Sequence, residues 1–158
     1  MLKQILILVC LAPGLGGCDT APTRLSTPQY FAMAGADKLH LPFSEAVRAG
    51  PMLFLSGEIG VRPGTLELVP GGIEPQTRQA MENIKAVLAR QHASFDDVVK
   101  CTAFLADMRE WPAFNRIYRT FFNAHFPARS AFGATGLALG ARVEIECIAA
   151  VPASPHPG

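Results

Sequence analysis

The stretch Arg142-Val143-Glu144-Ile145-Glu146-Cys147-Ile148-Ala149 constrains the fold most, because its side chains alternate with a period of two. Such alternation marks a strand with one face in a core and the other elsewhere. It sets Val143, Ile145, Cys147 and Ala149 against Arg142, Glu144, Glu146 and Ile148. The second face therefore carries two carboxylates, which are costly to bury unless water or a partner's groups meet them. Val98 to Leu105 alternates in the same way, with Val99, Cys101, Ala103 and Leu105 opposed to Val98, Lys100, Thr102 and Phe104.

Helical periods separate these strands. Residues 74–91 place Thr77, Met81, Ile84 and Leu88 on one face, beside Ala80 and Val87, with Pro75 tolerated in the first turn. Arg78, Glu82, Lys85 and Arg90 fall on the other face and are expected in solvent. Ser94 offers a cap for one short turn before Val98, and Asp107 offers a cap for the next helix. There Phe114, Ile117, Tyr118, Phe121 and Phe122 repeat at helical spacing, the pattern of core packing. Upstream, residues 44–48 and 52–56 flank Ala49-Gly50-Pro51 as a hairpin, and 66–69 reads as a short strand. Downstream, 128–133 and 141–151 read as two strands joined by a Gly- and Ala-rich connection. Strands, helix, strand, helix, strands in that order argue an α+β domain with two helices packed on one sheet face.

Composition removes several function classes. A chain of 158 residues is one domain's worth, and 49% hydrophobic residues supply ample surface to bury. A formal charge of +1, with basic residues scattered, provides no stripe for tracking phosphates, so nucleic acid is not an expected partner. No apolar run approaches the roughly 18 residues of a spanning helix. The four histidines, His40, His92, His125 and His156, fit no ligand spacing, and no metal is expected.

The N-terminus reads as an address. Lys3, an apolar run and then Leu15-Gly16-Gly17-Cys18 have the layout of a secretory signal peptide, residues 1–17, ending in a lipobox-like sequence. Cys18 is the expected lipidation point, 18–36 a Thr-, Ala- and Pro-rich tether, 37–152 the domain and 153–158 a tail. The protein is then expected on the periplasmic face of a bacterial membrane, held by a lipid anchor alone. The alternative is a cytoplasmic protein whose apolar start is no leader. Of the four cysteines, Cys101 and Cys147 belong to the domain, and free core thiols are the default for them. A disulfide is permitted if the compartment is oxidising.

Spacing alone offers no nucleophile elbow, phosphate loop or dinucleotide fingerprint. What stands out is Arg129 in Phe126-Pro127-Ala128-Arg129-Ser130, fifteen positions before Glu144. An arginine entering a strand after a Pro-Ala turn can present its fork to a small carboxylate, or can pair structurally with Glu144.

The chain from Pro42 to about Val151 resembles the RidA (YjgF) family of enamine/imine deaminases. The resemblance rests on Pro42-Phe43-Ser44-Glu45-Ala46-Val47, Leu55-Ser56-Gly57-Glu58-Ile59, the helix IEPQTRQAMENIKAVL, the strand DDVVKCTAFLADM, Phe114-Asn115 with Tyr118, FPARS and VEIECIA, in that order. It implies a chorismate-mutase-like α+β fold, a mixed sheet with two helices on one face, assembled as a homotrimer with sites in the clefts between subunits. It further implies that Arg129 binds a substrate carboxylate and that Glu144 positions a water. Phe43, Ser56, Gly57, Asn115 and Ala131 then line the pocket. The implied activity is hydrolysis of 2-enamine and 2-imine acids to 2-oxo acids and ammonia, without metal or organic cofactor. The alternative is a trimeric module that binds small carboxylates or client chains without turnover. Against many relatives, Phe43 stands for tyrosine, Ala131 for a cysteine and Glu58 for glutamine, and 134–141 lacks a Leu-Pro.

Overall fold

A computed structural model describes residues 27–33 and 41–151. The expected leader, Cys18 and the tail 153–158 lie outside the described residues, as does most of the expected tether.

The expected mixed sheet with two helices is present, and its order follows from the alternating segments. In sequence the elements are β1 (Gln29–Phe31), β2 (Ala46–Ala49), β3 (Met52–Leu55), β4 (Glu58–Ile59) and α1 (Ile73–Arg90), followed by β5 (Val98–Leu105), α2 (Trp111–Tyr118), β6 (Ala128–Gly133) and β7 (Val143–Ala150). The sheet runs β1-β2-β3-β7-β5-β6, with β4 also on β7. Among the described residues only β5 and β6 are parallel, which the helical crossover through α2 permits. All other pairs are antiparallel.

Strand β7 sits near the centre, and its alternation is realised as read. Val143, Ile145, Cys147 and Ala149 are buried, while Glu144, Glu146 and Ile148 face the other way. The buried row joins Leu53, Leu55, Ala103 and Leu105 against Ala80, Met81, Ile84 and Leu88 of α1 and Phe114 of α2 in one core. Full burial of such a side chain is worth roughly 1.5–3 kcal/mol, so the apolar faces of the helices, more than helix propensity, hold them on the sheet. Helix α1 also comes close at one point: a Cβ on Gly60 would lie 2.6 Å from the Gln76 backbone. Gln76 uses that proximity, its Oε1 accepting from the Arg142 amide at 2.8 Å.

Five expectations need correction. Residues 66–69 form no strand and contribute only an isolated bridge, Val61 to Leu68, because Pro63-Gly64 and Pro70 allow no continuous ladder. Residues 29–31 of the expected tether are a strand instead, since Tyr30-Phe31 are good strand formers that the surrounding Thr and Pro obscured. In β5 the register slips between Val98 and Lys100, so Val98 is 1% exposed and Val99 43%. Val99 is the extra residue of a bulge, which shifts the phase read from alternation. Arg90, expected in solvent, reaches down to the buried Glu45. Cys101 and Cys147, expected as free thiols, are direct cross-strand partners and form a disulfide, with Cα atoms 4.1 Å apart.

The outward sheet face carries Tyr30, Phe54 and Phe132, all exposed, with Lys100, Thr102, Glu144 and Glu146 among them. Phe104 and Phe132 stack across β5 and β6 at 6.3 Å, and Lys100 Nζ donates to Ser130 Oγ at 2.7 Å.

Candidate active site

Among the described residues strand β6 is an edge strand that pairs only with β5, so a long side chain entering it reaches beyond the core. Arg129 stands beside Cys101 in register and so shares the inner, helix-side face. Helix α2, whose start follows the Asp107-capped turn at Met108–Glu110, brings Trp111, Phe114 and Tyr118 to the same place. The Arg129 Cζ lies 4.9, 5.2 and 4.6 Å from the three ring centroids respectively. Such contacts are worth about 0.5–2 kcal/mol each and fix the orientation of the guanidinium. No carboxylate or carbonyl among the described residues accepts a hydrogen bond from it. Burial lowers the arginine's pKa from its usual value and the neighbouring Tyr118 opposes that, but an arginine stays charged throughout. Asn115, Tyr118, Arg119, Phe126 and Pro127 complete a cleft of about 420 Å³ around it. The result is an unpaired, stacked cation at the wall of an open cleft, the arrangement that receives a small anion.

A second cluster lies on the outward face. Between β3 and β4 the pairing to β7 slips by one residue, and Ser56 and Gly57 occupy the break. Ser56 is tied down twice, its Oγ donating to the Ser44 carbonyl at 2.6 Å and its amide to the Glu45 carbonyl at 3.0 Å. Gly57 leaves the room that the Glu144 side chain fills, since a Cβ there would fall 2.1 Å from Glu144 Oε1. Burial raises the pKa of Glu144, and the charge of Glu146 adds to the shift. Phe43, 48% exposed, precedes Ser44 at the chain's entry to this cluster.

The candidate residues therefore form two halves. Arg129 and Asn115 share one cleft, with Ala131 two positions further on the same face and packed against the core. Ser56, Gly57 and Glu144 make the other half. Arg129 is level with Cys147, two strands from β7 and three residues on from Glu144. Strand spacing and rise place their Cα atoms about 14 Å apart, on opposite faces. A structural Arg129–Glu144 pair within one chain is thereby excluded.

Glu58 belongs to neither half. It lies opposite Ile145 and so points into the helix layer, 8% exposed, beside Glu45 and Arg90. Burial pushes its carboxyl up to about 7, with Glu45 and Glu144 adding repulsion and Arg90 partly offsetting it. Sequence reasoning did not assign Trp111 to the site and took Phe114 and Tyr118 as core alone. The signal was their spacing at one, four and eight positions into a helix that ends ahead of Arg129. Their burial explains the core reading, and the one polar guest among the rings was invisible to it.

Comparison with known proteins is consistent throughout the domain. A family model described as Endoribonuclease L-PSP matches residues 36–151. The mouse 2-iminobutanoate/2-iminopropanoate deaminase is 41% identical over 108 residues, covering 68% of this chain and 80% of that protein. The RutC family protein UK114 of Drosophila melanogaster is 43% identical over 121 residues, 77% of this chain and 88% of that one. Among solved structures, the YjgF gene product of E. coli superposes with a TM-score of 0.66 at 37% identity, over 69% of this chain and 87% of its own.

Proposed function

Because this chain belongs to the Endoribonuclease L-PSP family, also called the RidA (YjgF) family, we propose that it hydrolyses 2-imino acids, and their enamine tautomers, to 2-oxo acids and ammonia. The observation that carries this reading is the unpaired guanidinium of Arg129, stacked on three rings in an open cleft. A 2-imino acid offers a carboxylate to that fork and, one bond away, an electrophilic carbon. Fixing the carboxylate by two parallel N–H donors orients the C=N group and converts a chance encounter into a positioned attack. Glu144, its pKa raised, is suited to hold a water and pass its proton as the water's oxygen bonds to the imine carbon. The C=N π-bond becomes a nitrogen lone pair, the carbinolamine collapses, and ammonia leaves as the C=O forms. The protonated imine supplies its own electrophile, so the scheme calls on no cofactor.

The separation of the halves supports assembly as a homotrimer in which the Arg129 half of one copy meets the Glu144 half of the next. The outward face that carries Glu144 also exposes Phe54 and Phe132, apolar surface suited to such a contact. The leader-like N-terminus and the disulfide together support an exported, lipid-anchored protein. Replacement of Cys18 by serine is expected to move it from the membrane to the soluble fraction, and an unchanged distribution rejects the anchor.

Activity is tested with 2-iminobutanoate generated in situ by an amino-acid oxidase, comparing the native chain with Arg129→Ala. Loss of a bidentate carboxylate contact is expected to cut kcat/KM by at least about a hundredfold. Equal rates for the two proteins reject the reading. The family model's own description suggests cleavage of RNA, but a formal charge of +1 with no basic stripe supplies little for a phosphate backbone.

A further inference from the structure

A second cation opens on the Arg129 cleft, and the scheme above gives it no work. Arg119 lines that cleft together with Asn115, Phe126, Pro127 and Arg129. Its place follows from the helix: Asn115 and Arg119 are four positions apart, so both side chains leave the same face, and the Arg119 amide donates to the Asn115 carbonyl. Other arginines of this region are occupied. Arg116, in the same helix, pairs with Glu74, Arg109 with Asp107 and Arg142 with Glu110. The Arg119 side chain is exposed, and among the described residues it pairs with no carboxylate or carbonyl. Arg62 and Arg78 differ, because the clefts they line also hold carboxylates, Glu45 and Glu58 in one and Glu82 in the other. The Arg129 cleft is lined by no acidic residue, so two permanent positive charges face about 420 Å³ without a lining carboxylate to offset them.

We propose that Arg119 is a specificity-determining residue that receives a second carboxylate, and that the acids suited to this cleft are those with an acidic side chain, the 2-imino dicarboxylic acids. The inference rests on the imine-hydrolase reading for the reacting group and adds the far end of the substrate. Arg129, stacked on three rings, has a fixed orientation and takes the carboxylate beside the C=N carbon. Phe126 and Pro127 add apolar wall for the intervening methylene carbons. An acid with an uncharged side chain leaves Arg119 to water, whereas a dicarboxylate gains a charge-assisted hydrogen bond there. Because Arg119 is exposed, that gain is modest and is screened by salt. A solvated arginine that merely complements the end of its helix would confer no preference between the two kinds of acid.

The test titrates the full-length protein by calorimetry at low salt with 2-oxoglutarate and with 2-oxobutanoate, stable oxo acids that differ only in the second carboxylate. The native protein is expected to bind the dicarboxylate about tenfold more tightly, an advantage that shrinks as salt is added. Arg119→Gln should bring that ratio of affinities to about one, Arg119→Lys should keep part of it, and Arg129→Ala should weaken both acids. The ratio decides, since a structural arginine would change both affinities together. Equal affinity of the native protein for the two acids, an unchanged ratio in Arg119→Gln, or loss of both affinities in proportion, as when Arg119 merely pairs with a neighbouring copy, each overturns the proposal. Binding of neither acid overturns it as well. Turnover is measured separately, with 2-iminoglutarate and 2-iminobutanoate generated in situ by amino-acid oxidases. A binding preference without hydrolysis of either imine retains the role of Arg119 and rejects only the reading of the reaction. Hydrolysis of both imines with no preference for the dicarboxylate retains the reaction and rejects this inference.

Discussion

Gly57 and Glu144 show how much a single missing methyl group can decide. The Glu144 carboxylate occupies the position of a Gly57 side chain, so Gly57→Ala must displace it, and since only the end of a flexible side chain has to move, the fold survives. Misplacement of about 1 Å is worth up to a hundredfold in rate, and imine hydrolysis by this variant is expected to fall by that order with the thermal midpoint little changed. Glu58 makes a prediction of the opposite kind, on stability alone. Its carboxyl titrates near 7 in the fold and near 4.5 when unfolded. The folded state thus holds the proton more tightly, and stability is expected to fall as pH rises from 4.5 to 7, by at most about 3 kcal/mol, then level off. Glu58→Gln should flatten that slope and gain stability above pH 7, as read by urea denaturation across the range. At this scale the motifs singled out Arg129 and Glu144 as candidates, whereas the direction of Glu58 was not legible. Its face depends on the slip at Ser56-Gly57, which no periodicity in a two-residue strand reveals.

Among the elements, the long periodic ones and the β2–β3 hairpin around Ala49-Gly50-Pro51 followed from sequence, whereas the shortest strands, β1 and β4, did not. Helix α1 and strands β5 and β7 are where their patterns put them, because eight or more alternating or helical positions average out one irregular residue. Strands of two or three residues, such as β1 and β4, exist by virtue of their partners, and sequence carries little trace of a partner. The same holds for the disulfide: two alternating strands each contained a cysteine, but only the β5–β7 register sets them face to face. Closing a span of 46 residues by that bond restricts the unfolded chain by about 4 kcal/mol in the loop-entropy account. Cys101→Ala with Cys147→Ala is expected to lose much of this and to become insensitive to reductant, which denaturation with and without dithiothreitol checks. Gly60→Ala is expected to cost about 1–3 kcal/mol, because a Cβ there meets the Gln76 backbone and pushes α1 off β4.

For the whole molecule, the decisive fact is that one chain carries its two groups of candidate residues on opposite faces. If each site takes Arg129 from one copy and Glu144 from the next, Arg129→Ala and Glu144→Gln, each inactive alone, should complement each other when produced together. Random mixing leaves about a quarter of the sites intact, and that fraction of native activity is the expected readout. No recovery in verified mixed assemblies would place both residues in one copy's site. Sequence left either water or a subunit to meet Glu144 and Glu146, and the opposite faces taken by Arg129 and Glu144 emerge only from the strand registers.

The box around Arg129 has one more use. Trp111 is the chain's single tryptophan, and its ring lies 4.9 Å from the cation proposed to meet the ligand. Its indole emission is therefore expected to serve as an optical gauge of occupancy: if a negative charge arrives there it alters the local field at the only strong fluorophore, and titrations at this cleft would then be followed by light, without a label and without a coupled assay.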